Sequence, residues 1–91
     1  MKVRIDPHTL KRAVERGAAE DEIRDVIRTG LPMPARSGRL RKAKVFPFDN
    51  TRLGERYVHK RVEVVYVVEG GVAVTVTVYV FYGEWEQTDA H

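Results

Sequence analysis

The chain has 91 residues, of which 43% are hydrophobic and 32% charged, with no cysteine and a net charge of +3. That length supports one core and no second domain, and the composition is that of a folded protein, not a disordered one. Without cysteine, disulfides and thiolate metal sites are excluded, which suits a reducing cytoplasm.

The N-terminus, Met1-Lys2-Val3-Arg4-Ile5-Asp6, lacks the apolar stretch of a signal peptide, and no apolar run is long enough to cross a bilayer as a helix. A soluble cytoplasmic protein with no membrane partner is expected. Asp6-Pro7 opens the first helix, with Asp6 as N-cap and Pro7 at the first helical position. This helix spans about 7–16, with Leu10, Ala13, Val14 and Gly17 as its buried stripe and Gly17 as its left-handed terminator. A second helix over about 19–29 begins with Glu20, Asp21 and Glu22 and buries Ile23, Val26 and Ile27. Gly30, Pro32 and Pro34 stop it, and residues 31–42 read as a connection.

A short strand over about 43–48 follows, which Pro47 confines to a sheet edge or a bulge. Residues 49–54 read as a turn. Two long strands, about 57–69 and 72–82, flank Gly70-Gly71, a two-residue hairpin signal. If Glu69 pairs with Val72 and Val65 with Val76, one face carries Val65, Val67, Val72, Val74, Val76, Val78 and Val80 and should meet the helices. The other carries Val64, Tyr66, Val68, Thr75, Thr77, Tyr79 and Phe81 and would be the working face. The expected fold is α+β: an N-terminal helical hairpin on one face of a three- to four-stranded twisted antiparallel sheet.

The charge is unevenly spread. Residues 36–61 hold nine Lys/Arg against two acids, a net of +7, and the remainder seven against eleven, a net of −4. A basic middle third points to a polyanionic partner, RNA or DNA, or else to a solvated strip that only keeps the protein soluble. The strip supplies Arg39, Arg41, Lys42, Lys44, Lys60 and Arg61 as candidate phosphate contacts, with Arg16 beside them. Tyr66 and Tyr79 are candidates for base stacking, or ordinary strand packing. His8 and Arg12 lie one helical turn apart and could serve phosphodiester chemistry, the imidazole moving a proton and the guanidinium stabilising phosphorane charge; the alternative is a solvated helix face with Glu15. His59, inside the basic block, is a second acid–base candidate. Trp85 reads as a clamp for the C-terminal end. No HExxH, HxH, Walker or GxGxxG pattern occurs, so catalysis would use His, Arg, Lys, Tyr or Glu without a metal or other cofactor.

The segment His8-Thr9-Leu10-Lys11-Arg12-Ala13-Val14-Glu15-Arg16-Gly17-Ala18 resembles the opening His-x-x-x-Arg-x-x-x-Arg-Gly-small of DUF 4258, a domain-of-unknown-function family of short bacterial and archaeal proteins. The acidic start of the second helix, the Arg/Lys-rich first strand and the closing strand Val74–Tyr79 look similar too, so the likeness spans most of residues 8–82. That family is similar in layout to RelE, barnase and colicin-type ribonuclease toxins, whose sheets meet RNA on the face away from the helices. The resemblance implies a RelE-like layout and a metal-independent endoribonuclease of toxin type, with an antitoxin-like protein as a candidate partner. It points to His8, Arg12 and Arg16, whereas His59 matches no position in it. Two other functions stay open: a non-catalytic nucleic-acid-binding or regulatory module, and a protein-interaction domain, including a homodimer, that pairs through a strand edge or the Tyr/Thr face.

Overall fold

In the computed structural model, which describes residues 1–86, Asp6 caps the first helix as its chemistry requires. Its Oδ1 accepts from the His8 N–H at 2.9 Å, and α1 (Pro7–Arg16) ends at Gly17 with φ of 94°. α2 (Glu20–Thr29) starts with the Glu22 carboxylate accepting from the Ala19 N–H at 2.9 Å. Ile23, Val26 and Ile27 are buried, as their spacing predicts. The stripe expected on α1 is corrected: Thr9 and Ala13 are its buried residues, while Leu10 is exposed and Val14 is 74% exposed. Small residues on the inner face let α1 lie close over the last strand, a placement in which Val14 points away.

The sheet has five strands: β1 (Lys2–Arg4), β2 (Leu31–Met33), β3 (Leu40–Arg52), β4 (Glu55–Glu69) and β5 (Val72–Gly83). Their order is β1-β5-β4-β3-β2, antiparallel except that β1 runs parallel to β5. The expectation of three to four antiparallel strands behind N-terminal helices is therefore corrected to a mixed five-stranded sheet whose first strand precedes the helices. β1 and β2 are three residues each, too short to carry an alternating pattern. In β2, Pro32 is tolerated because an edge strand needs hydrogen bonds on one side only.

β3 and β4 run on past their neighbours as a two-stranded ribbon. Residues 49–52 belong to β3, and the turn narrows to Leu53-Gly54, both with positive φ. Pairing shifts between Pro47 and Asn50, so Pro47 sits at a bulge, and beyond residue 43 β3 has no partner on its outer side among the described residues. The described chain holds no helix long and apolar enough to cross a membrane.

Gly70 and Gly71 both take positive φ, and Glu69 pairs with Val72 as expected. The register then shifts: Tyr66 faces Thr75 but Val65 faces Thr77, leaving Val76 unpaired as a bulge. Val65 does not pair with Val76. Under the helices the sheet contributes Val3, Val62, Val64, Tyr66, Ala73 and Val78 to the core, with Ile5, Phe46 and Val80 packed against it. Val78, Val80, Thr77, Tyr79 and Phe81 thus lie on the expected faces, and the assignment is reversed before the bulge. Ala73 and Thr75 suit the tight space beside β1 and α1, where the Thr75 hydroxyl accepts from the Asp6 N–H at 3.0 Å. Burying Val65 and Val67 there would also have carried Arg61 and Glu63 beneath the helices.

Candidate nucleic-acid interface

Strand alternation divides the basic block between two faces. Lys42, Lys44 and Lys60 project toward the helices. Lys42 Nζ donates to the Ile27 carbonyl at 2.9 Å, and Lys44 Nζ to Asp25 and Thr29 at 2.8 Å each. Lys60, itself buried, donates to the Gly17 carbonyl and to Glu22 at 2.8 Å each. Lys42 and Lys60 thus satisfy carbonyls at the negative ends of the two helices, and Lys44 holds side chains of the last turns of α2. At α1 the arrangement is complete over three consecutive carbonyls: Glu15 accepts from Arg52, Arg16 from the Tyr82 hydroxyl, and Gly17 from Lys60. Hydrogen bonding by Lys44 holds the Asp25 carboxyl below its ordinary range, outweighing burial, with Thr29 adding to the effect. Tyr82, squeezed against this corner, has its phenol raised by burial, against the opposing charge of Arg52.

Arg41 and Arg61 take the other face. Arg41 pairs across the sheet with Val65, and Arg61 lies two residues before Glu63 on β4. Glu63 accepts from Arg41 through Nε at 3.0 Å and through Nη2, and from Arg61 Nε at 2.7 Å. Burial would raise its carboxyl, but hydrogen bonds from Arg61 and Arg41, together with their charges, hold it below the ordinary value. Opposite Glu63 stands Tyr79, and opposite Arg61 stands Phe81. The two rings are 37% and 45% exposed, and the guanidiniums of Arg41 and Arg16 lie 5.1 and 5.5 Å from the Tyr79 centroid. Arg16 also donates to the Val78 carbonyl at 2.6 Å, so it fastens α1 to the edge of β5. Arg39 is exposed just before β3.

The remaining candidates fall elsewhere. Tyr66 is buried in the core under the helices, and burial raises its phenol. His8 and Arg12 are exposed on α1, with no side-chain hydrogen bond, ion pair or aromatic neighbour among the described residues. They are not brought together with the sheet arginines. His59 is half-buried at the far end of β4, where its Nδ1 accepts from the Trp85 N–H at 3.0 Å. The neutral ring therefore carries its proton on Nε2, and Trp85 is tied to the sheet as expected.

Sequence reasoning missed Glu63. Its signal was an acid placed between valines, two residues from an arginine on the same strand face. Among the described residues no three His, Asp or Glu side chains gather as a metal site would need. A pocket of about 570 Å³ opens along the outer edge of β1, lined in part by Lys2, Arg4, Leu10, Glu20 and Arg24, and none of the expected site residues reaches it. Compared with protein-family models, curated proteins and solved structures, the chain matches none.

Proposed function

We propose that this chain binds single-stranded RNA on the helix-free face of its sheet. The observation that carries this reading is the pairing, on one open face, of two exposed rings, Tyr79 and Phe81, with two arginines, Arg41 and Arg61. Exposed rings on a sheet accept unstacked bases, which a duplex does not offer, and arginines beside them reach the backbone. Residues 7–29 carry five Lys/Arg and five acids, a net of zero, so the excess positive charge of the protein resides outside the helices. The test is fluorescence anisotropy with a labelled oligouridine of roughly ten nucleotides and its DNA counterpart, across a salt series. Phe81→Ala should weaken RNA binding by about tenfold, since stacking contributes about 1–3 kcal/mol per base. Absence of binding by the wild type at physiological salt would reject this reading in favour of a protein-interaction domain.

A second reading, metal-independent RNA cleavage of toxin type, is favoured by His59, which shares the open face with Arg61 two residues away. In that reading the 2′-hydroxyl attacks the adjacent phosphorus, the 5′-oxygen leaves protonated, and a 2′,3′-cyclic phosphate remains, with His59 moving a proton. His8 and Arg12, exposed with no wall opposite them, do not support it. Four residues of strand separate the Cα atoms of His59 and Glu63 by about 13 Å, too far for a compact acid–base pair around one phosphate. Incubation with RNA in EDTA separates the two readings. Intact RNA fits the binding module; cyclic-phosphate products that vanish in His59→Ala would replace it with the nuclease.

A further inference from the structure

We propose that Arg41 and Arg61, splinted by the carboxylate of Glu63, form a discrete site for one phosphate of the bound nucleic acid; this rests on the RNA-binding reading above. The three side chains are layered. Glu63 is 9% exposed at its side chain, whereas Arg41 and Arg61 are 29% and 25% exposed, so the carboxylate lies beneath and the guanidiniums above it. Each guanidinium has five N–H donors in a rigid fork. Arg41 uses its Nε–H and one Nη2–H on Glu63. Arg61 uses its Nε–H on Glu63 and one Nη2–H against the Met33 sulfur at 3.4 Å. The rest of each fork finds no acceptor among the described residues. Two arginines on one carboxylate leave a local charge of +1, held in fixed orientation at a partly dehydrated surface. A phosphodiester carries one negative charge and acceptor oxygens suited to such forks, so it would neutralise the cluster and complete its hydrogen bonding. Tyr79, across from Glu63 and in contact range of Arg41, places a ring beside that phosphate where the attached base would lie. Glu63 is then a positioning residue that touches no ligand.

This assignment inverts the ordinary electrostatic expectation. Removing an acid near a polyanion site should tighten binding, yet Glu63→Gln should weaken oligouridine binding by about five- to tenfold, because Arg61 loses its charged anchor. Glu69→Gln makes the same charge change at an exposed position on that face, beside the Gly-Gly turn, and should bind as tightly as wild type or slightly tighter. The salt slope should fall by about one in Glu63→Gln, a readout that a loss of stability alone would not move. Arg61→Lys keeps the charge but not the fork and should show a similar loss, so the test survives if Glu63→Gln fails to fold. Wild-type affinity in Arg61→Lys, or equal or tighter binding in a folded Glu63→Gln, would overturn the phosphate site. If Phe81→Ala still weakens binding in that case, the RNA reading stands without it. If the wild type binds no oligouridine, both fall together.

Discussion

Gly17 stands where helix geometry and a three-strand corner meet. Its φ of 94° is left-handed, and a Cβ there would collide with the Tyr82 hydroxyl, whose proton goes to the Arg16 carbonyl at 2.6 Å. Gly17→Ala should therefore cost about 2–3 kcal/mol in urea denaturation, about 1–2 from the backbone and the rest from displacing Tyr82. In a Tyr82→Phe background the same substitution should cost less, because the collision and the hydrogen bond are already gone; equal costs would show that the corner is not coupled. Glu63 gives a pH prediction. Its folded carboxyl lies below the ordinary 4.5, so it contributes stability in full above about pH 4.5, and that contribution is lost as the pH falls through the folded value. The difference in urea midpoint between wild type and Glu63→Gln should be largest near neutrality and shrink in acid; a constant gap across that range would contradict the linkage.

At the scale of the element, the bulge at Val76 decides which valines hold the sheet to the helices. Val78 is fully buried in the core and Val76 is half-buried and unpaired, so Val78→Ala should cost about 2–3 kcal/mol and Val76→Ala clearly less, measured as urea midpoints. The ribbon tip offers a gain in the other direction. Leu53 occupies the left-handed region at φ of 53° while almost fully exposed, so Leu53→Asn, a residue that tolerates that region, should raise stability by about 1 kcal/mol. These two places also mark how far the sequence was legible. Asp6-Pro7, Gly17 and Gly70-Gly71 announce themselves because each fills a backbone role that few residues can take. A bulge has no such signature: Val-Thr-Val-Thr-Val is continuous alternation, and the extra residue appears only when β5 is laid against β4. The open-face arginines were legible as part of a basic block, but the block itself could not reveal that its lysines turn inward to the ends of the helices. That needed the parity of β3 and β4 relative to a core assigned one residue out.

Over the whole molecule, that division separates stability from binding. Replacing Lys42, Lys44 and Lys60 with Gln should lower the urea midpoint and leave the salt slope of RNA binding nearly intact. Replacing Arg39, Arg41 and Arg61 with Gln should reduce the slope by about one per lost phosphate contact. Equal slopes in the two triple variants would mean that positive charge acts without regard to face. The placement of β1 has a further consequence, for how the molecule is assembled in time. Val3 is buried in the core and pairs with Ala73, seventy positions later, in a parallel arrangement that no tight turn can make. β1, although it precedes its partner in the chain, is thus among the last strands to find its place, and it waits until the glycine hairpin has brought β5 round. The three central strands can gather earlier from nearer contacts, so docking α1 over β5 and closing the β1 edge are expected to be late and slow events, with the 72–74 end of the β5 edge open to other chains until then.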